Sequence, residues 1–73
     1  MIMFVRDAKM KLRVQAQHLQ PGDVVGSGEV IRQVIVSGIG WPSSKVKVIL
    51  GHRTDANRSA YWGKTTMINV ERS

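Results

Sequence analysis

The sequence predicts an all-β fold, a small and strongly curved antiparallel barrel built from five short strands. Apolar and polar residues alternate with a period of two in several segments, which is the pattern of half-buried strands. Turn-forming Pro, Gly and Asp residues separate these segments, at roughly the 8- to 12-residue spacing of small all-β domains. Helical periodicity is missing from every run of about ten residues, so we expect little helix.

The chain has 73 residues, which suffice for one domain only. A domain this small buries only about 60% of the surface that its unfolded chain exposes, so self-association to a homodimer is one route to added stability. The sequence contains no cysteine, which excludes disulfides and thiolate metal ligands and favours a cytoplasmic location. No segment reaches the roughly 18 consecutive apolar residues of a membrane span, so we expect no membrane partner.

Residues 1–9 differ in composition from the rest, and we predict a flexible or strand-adding N-terminal arm there, followed by a barrel domain at residues 10–73. Met1 to Val5 is apolar, but Arg6 and Asp7 follow at once, which is not the order of a signal peptide. Such an arm either frays, exchanges with a neighbour or covers the sheet edge of a second copy. The sequence leaves these alternatives open.

The first strand is predicted at residues 11–17, where apolar residues alternate with a basic and polar face. Pro21 and Gly22 suit the two central positions of a type II turn, because proline presets φ and glycine tolerates a positive φ. The side chain of Asp23 is expected to accept hydrogen bonds from backbone N–H groups of this turn.

A second strand is predicted at residues 24–36, with a bulge or sharp bend where Gly26 and Gly28 occur. The apolar phase shifts within residues 30–36, which indicates a further bulge or a switch between two sheets. Residues 45–50, 60–62 and 66–71 provide the remaining strands, and Val46, Val48 and Leu50 are expected to face the core.

One segment resembles the opening of SH3-like barrels of the KOW and Tudor type, in which a Pro-Gly-Asp-Val turn precedes a bent strand with a Gly-x-Val pattern. The matching residues are Leu19-Gln20-Pro21-Gly22-Asp23-Val24-Val25, Gly28-Glu29-Val30-Ile31 and Val34. The resemblance covers residues 12–50 and implies an SH3-like five-stranded antiparallel barrel. The size and charge also resemble those of short accessory proteins of bacteriophages, especially phages of actinobacteria.

Candidate catalytic groups are few, and none forms a recognisable constellation. Glu29 opens a strand and is expected to be solvated, His52 and Asp55 share a loop, and His18 adjoins a turn. A loop pair is a poor scaffold for a preorganised acid–base site, and no serine stands in a Gly-x-Ser-x-Gly context. We therefore expect no enzymatic activity, no catalytic residue, no metal and no cofactor.

The net charge is +6 and the isoelectric point is near 10.6, which favours a polyanionic partner, chiefly nucleic acid. We expect DNA rather than RNA, mostly phosphate-backbone contacts with little sequence specificity, and a nucleoid-associated location. Alternate lysines on a strand can also be simply its solvated face. The competing hypothesis is a protein-interaction module that binds and modulates a cellular or host protein, because Trp, Tyr and Arg also dominate protein interfaces.

The candidate contact residues are basic side chains on strands and loops together with two tryptophans. Trp41, in a Gly- and Pro-containing loop, is either a lid on the barrel or a contact residue. Tyr61 and Trp62 are adjacent in a strand, so one must face the core and the other the surface, beside Arg58 and Lys64. The full predicted set is Lys11, Arg13, Trp41, Lys45, Lys47, Arg53, Arg58, Trp62 and Lys64.

Overall fold

A computed structural model describes residues 9–72 of the chain. Six strands occur in this range: β1 (Met10–Gln15), β2 (Val24–Val25), β3 (Val30–Ile35), β4 (Lys45–Gly51), β5 (Arg58–Gly63) and β6 (Met67–Arg72). The helical content between residues 9 and 72 is one 3-10 turn at Ala16–His18, and no helix there has the length and hydrophobicity to cross a membrane. The all-β prediction is confirmed. The predicted arm at residues 1–9 lies, apart from Lys9, outside the described residues.

The six strands form one antiparallel sheet with the order β1-β6-β2-β3-β4-β5. The end strands β1 and β5 do not pair, so the sheet is not closed by strand pairing. The sheet curls so that the 3-10 turn after β1 contacts β5, although β1 and β5 do not pair. The backbone N–H of Ala16 donates to the carbonyl of Thr66 at 2.9 Å, and that of Gln17 donates to the carbonyl of Lys64 at 3.1 Å.

The sheet has six strands where the sequence predicts five, because residues 24–36 fold as a hairpin instead of one bent strand. The N–H of Gly28 donates to the carbonyl of Val25 at 2.8 Å, and the N–H of Val25 donates to the carbonyl of Glu29 at 3.0 Å. Gly28 has a φ of +88°, which a residue with a side chain rarely adopts. The glycines therefore reverse the chain between β2 and β3.

Two local predictions are confirmed by the backbone. The N–H of Asp23 donates to the carbonyl of Gln20 at 3.0 Å, and Gly22 has a φ of +96°, as the third residue of a type II turn requires. In β3 the pairing shifts by one residue between Ile31 and Gln33, so Arg32 is the extra residue of a bulge. This bulge explains the phase shift in the sequence.

The core lies on the inner face of the curled sheet. Its buried apolar side chains are Ala16, Leu19, Val25, Ile31, Val46, Val48, Leu50 and Val70. Leu12, Val14, Val34, Ala60, Trp62 and Ile68 pack against them and are partly buried. The β1 alternation ends earlier than predicted, at Gln15, yet Ala16 in the 3-10 turn is still fully buried. On β4 every second residue points inward, which directs the residues between them to the outer face.

Candidate nucleic-acid interface

The outer face of β3, β4 and β5 combines lysines with apolar and aromatic side chains. Residues paired across antiparallel strands share a face, and Lys47 pairs with Ile35 on one side and with Tyr61 on the other. We call this surface the β3–β5 outer face, and its residues are Gln33, Ile35, Lys45, Lys47, Ile49, Ser59 and Tyr61. None of these residues is acidic.

Trp41, from the β3–β4 loop, lies against this face and is half-buried. Its indole N–H donates to the carbonyl of Lys45 at 3.1 Å, and the Nζ of Lys47 lies 5.8 Å from the ring centroid. The Trp41 and Tyr61 ring centroids are 5.7 Å apart, with the rings tilted by 51°. We call this pair the aromatic platform. Trp41 therefore lies on the outer face of the sheet and does not cover the core as a lid.

Gly38 provides the space that the indole occupies. A Cβ built on Gly38 would collide with Cη2 of Trp41. A glycine at this position therefore lets the loop backbone pass directly along the ring. With the hydrogen bond to Lys45, this close approach fixes the orientation of Trp41 from two sides.

Two lysines project from the outer face of β4, and a third follows the end of β5. Lys45 and Lys47 point outward from β4, and Lys64 directly follows Gly63, which pairs with Lys45. The backbone N–H of Lys64 donates to the carbonyl of Ser44 at 2.9 Å, which holds this end of the hairpin together. We call Lys45, Lys47 and Lys64 the lysine cluster. The ion pairs found among residues 9–72 do not involve these three side chains.

Arg58 is engaged by an acidic partner. Its Nε and Nη2 donate to Glu29 Oε2 at 2.7 Å and Oε1 at 2.8 Å, and the hydroxyl of Ser27 also donates to Oε1 at 2.8 Å. These hydrogen bonds, with Arg58 foremost, lower the pKa of Glu29 from 4.5 to about 2. Only 6% of Glu29 is exposed, so the expectation that it is solvated is wrong. Arg58 brings little unbalanced charge to the surface.

Arg72 forms a second bidentate pair, with Asp23. Its Nε and Nη2 both lie 2.9 Å from the carboxylate, which also accepts the N–H of Gln20 at 2.9 Å. Burial alone would raise the pKa of Asp23, of which only 1% is exposed, but the hydrogen bonds from Arg72 and Gln20 outweigh it and lower the pKa. The predicted capping role of Asp23 is confirmed. Its arginine partner is 49 positions away, and the sequence analysis missed it.

Lys11 and Arg13 lie on a different part of the sheet. They are exposed on β1 and pair with Glu71 and Asn69 of β6. Three strands separate β1 from β4 in the sheet order, so these two residues do not continue the lysine cluster across neighbouring strands. A groove of about 610 Å³ lies beside them, between β1, β6 and the β2–β3 turn. Glu71 lines this groove as well, so its charge is mixed.

The two remaining predicted contact residues do not join the lysine cluster: one lies at the other end of the sheet and one packs against the core. Arg53 is exposed in the β4–β5 connection, at the opposite end of β4 from Lys45. Trp62 pairs with Val46 on the inner face and packs against the core. Tyr61 is the outward aromatic residue, with 45% of its surface exposed. The sequence shows that the two neighbours face opposite ways, but only the strand register tells which one faces out.

Comparison with known proteins gives no relative: no family model, no curated protein and no solved structure matches this chain. Among residues 9–72, no group of three or more His, Asp or Glu side chains is arranged to hold a metal ion.

Proposed function

We propose that this chain is a small nucleic-acid-binding protein that contacts the phosphate backbone with little sequence specificity. The observation that carries the proposal is the position of Lys45 and Lys47 beside the aromatic platform, on a sheet face without acidic side chains. Lys64 follows the end of the neighbouring strand. Lysine ammonium groups act as point charges toward phosphates, and their binding releases condensed counterions. We propose DNA as the favoured polyanion and, accordingly, a cytoplasmic, nucleoid-associated location.

We also propose that the six-stranded sheet is a variant of the SH3-like barrel. This description is supported by the Pro-Gly-Asp-Val turn with its positive φ at Gly22, and by the strong curl of the sheet. In this curl the first strand pairs with the last, and the 3-10 turn after β1 reaches the end of β5. Self-association and an origin among bacteriophage accessory proteins are parts of the proposal that rest on size and composition alone.

We propose no catalytic activity for the site. Amines, an indole and a phenol without an adjacent carboxylate or imidazole supply binding chemistry, whereas general acid–base catalysis needs a positioned pair with separated pKa values. Both acidic side chains that are buried within residues 9–72, Asp23 and Glu29, are already paired with arginines.

The proposal is tested by the salt dependence of binding to a labelled DNA duplex, measured by fluorescence anisotropy. Three phosphate contacts give a slope of log K against log salt near −2.7, so affinity should fall about 40-fold between about 50 and about 200 mM salt. Replacing Lys45 and Lys47 together by Gln should reduce the slope to about −0.9. No measurable binding of any polyanion at the lower salt concentration would refute the proposal.

The matched control removes two charges elsewhere. Lys11→Gln with Arg13→Gln changes the net charge by the same amount on β1, which three strands separate from β4 in the sheet order. We expect this variant to retain most of the slope. If both double variants lose affinity equally, the binding responds to overall charge and the lysine cluster has no special role.

One observation favours the alternative, a protein-interaction module. Ile39, in the β3–β4 loop that also carries Trp41, is 99% exposed, and Val36, which follows β3, is 43% exposed. Exposed apolar and aromatic side chains of this kind form the centres of protein interfaces. This function is indicated if a host protein binds with little response to salt, if Ile39→Asp abolishes that binding, and if Lys45→Gln with Lys47→Gln leaves it unchanged.

A further inference from the structure

We propose that the β3–β5 outer face selects single-stranded over double-stranded nucleic acid, with a base stacked on Tyr61 beside Trp41 and the adjoining phosphates on Lys47 and Lys45. This inference rests on the proposed function and names its substrate class.

The aromatic platform is preorganised for such a contact. Trp41 is held by its hydrogen bond to the carbonyl of Lys45 and by the close approach of Gly38, while Tyr61 projects from the middle of β5. Because these side chains are already ordered, binding costs little additional conformational entropy. The partial exposure of Tyr61 leaves ring surface accessible for a further flat group.

The ring geometry suits one unstacked base. With a tilt of 51° at a centroid distance of 5.7 Å, the two rings already contact each other, so a base would stack on the exposed part of Tyr61 and not between the rings. A base can lie on one ring while the other ring contacts its edge. Within a duplex both faces of each base are covered by neighbouring base pairs, whereas a single strand can splay its bases out onto aromatic side chains. The platform therefore favours a single strand.

The lysine cluster lies where the phosphates of such a strand would run. The Nζ of Lys47 is 5.8 Å from the centroid of Trp41, so the positive charge borders the platform directly. Lys45 is two residues away on β4 and faces the same way, about 6.7 Å farther along the strand, and Lys64 follows at the end of β5. Such a short track accommodates on the order of four nucleotides, the lower end of the range for small β-barrel domains.

The side chains around the platform favour base-independent binding. Ile35 and Ile49, which flank Lys47 on the neighbouring positions of the outer face, are apolar and cannot hydrogen-bond to base edges. Stacking itself is tolerant of sequence, because every base has a π-face. The apolar neighbours of Lys47 agree with the low sequence specificity proposed above, and the amide and hydroxyl of Gln33 and Ser59 lie one position farther along, opposite Ile49.

The test compares three labelled probes of equal length by fluorescence anisotropy at low salt: a single-stranded oligonucleotide, a hairpin duplex and an abasic strand that keeps every phosphate. We expect the single strand to bind about tenfold more tightly than the abasic strand, from one stacked base, and more tightly than the duplex. An RNA strand of matched sequence is expected to bind within about threefold of the DNA strand, because stacking does not use the 2′-hydroxyl.

Two substitutions separate stacking from charge. Tyr61→Leu keeps an apolar side chain but removes the ring, and should lower single-strand affinity to that of the abasic strand, whereas Tyr61→Phe should retain it. Met67→Ala, which removes a side chain of similar exposure from β6, serves as the control and should change nothing. Circular dichroism of each variant shows that it folds.

The outcomes distinguish this inference from the proposed function. If no probe binds at low salt, the proposed function fails. If the abasic strand or the duplex binds as tightly as the single strand, and Tyr61→Leu has no effect while Lys45→Gln with Lys47→Gln still weakens binding, single-strand selection is overturned and backbone binding stands.

Discussion

Removal of the Asp23 carboxylate should destabilise the fold severely. Asp23 is 1% exposed and accepts three hydrogen bonds, two from Arg72 and one from the N–H of Gln20. The ion pair joins the turn before β2 to the last strand, across 49 positions. Asp23→Ala removes all three acceptor contacts at once and leaves the guanidinium of Arg72 without its partner.

The loss of unfolding free energy depends on how far the guanidinium of Arg72 can be hydrated once its partner is gone. Breaking a buried ion pair by removing one partner costs about 3 to 5 kcal/mol. The side chain of Arg72 is 23% exposed, so part of its charge can be resolvated, and we expect a loss of about 3 kcal/mol, the lower end of this range. For a domain of fewer than a hundred residues such a loss lowers Tm by about 12 to 24 °C.

The assay is urea unfolding followed by circular dichroism, with Glu71→Ala as the control. Glu71 is also an acidic residue near β1, but it forms none of the ion pairs found in residues 9–72. We expect a change within about 0.5 kcal/mol for this control. If Asp23→Ala destabilises the protein no more than Glu71→Ala does, the pair does not stabilise the fold as the structure indicates.

Three further predictions concern stability at acidic pH, the β2–β3 turn and the packing of Trp41 against Gly38. Folding lowers the pKa of Glu29 from 4.5 to about 2. The ionised carboxylate therefore adds to the free energy of unfolding fully above about pH 4.5, and this stabilisation is lost as the pH falls toward 2. In urea unfolding experiments, the stability of Glu29→Gln should depend less on pH in this window than that of the unchanged protein. Gly28→Ala should lower the free energy of unfolding by about 1 kcal/mol, because φ at this position is +88°. Gly26→Ala should leave it nearly unchanged in the same assay, because a Cβ at Gly26 meets no atom within 4 Å. Gly38→Ala should displace Trp41, which would alter its near-ultraviolet circular dichroism; an unchanged spectrum would contradict the described packing.

Most strands and turns can be predicted from the sequence, because each depends on the pattern of a few neighbouring residues. The alternation of β4 predicts that Val46, Val48 and Leu50 are buried, and all three are. The Pro-Gly turn and the phase shift at Arg32 are also readable, since each depends on a few neighbouring residues. The hairpin of β2 and β3 was harder to predict, because two nearby glycines are equally compatible with a bend in one strand and a full reversal.

The candidate site was predicted only in part, because it depends on contacts between distant segments. Lys45 and Lys47 follow from alternation alone, and their outward position agrees with the predicted strand. The pairing of Arg58 with Glu29 spans 29 positions, and no local pattern indicates that these two charges cancel. The outward position of Tyr61 likewise depends on its register with Lys47, which is a property of the assembled sheet.

Nuclear magnetic resonance mapping with a single-stranded oligonucleotide tests the central claim most directly. Amide resonances of Lys45, Lys47, Tyr61 and Lys64 and the indole N–H of Trp41 should shift together on titration. Shifts confined to Lys11, Arg13 and the groove beside β1, or spread evenly over all basic residues, would contradict the assignment of binding to the β3–β5 outer face.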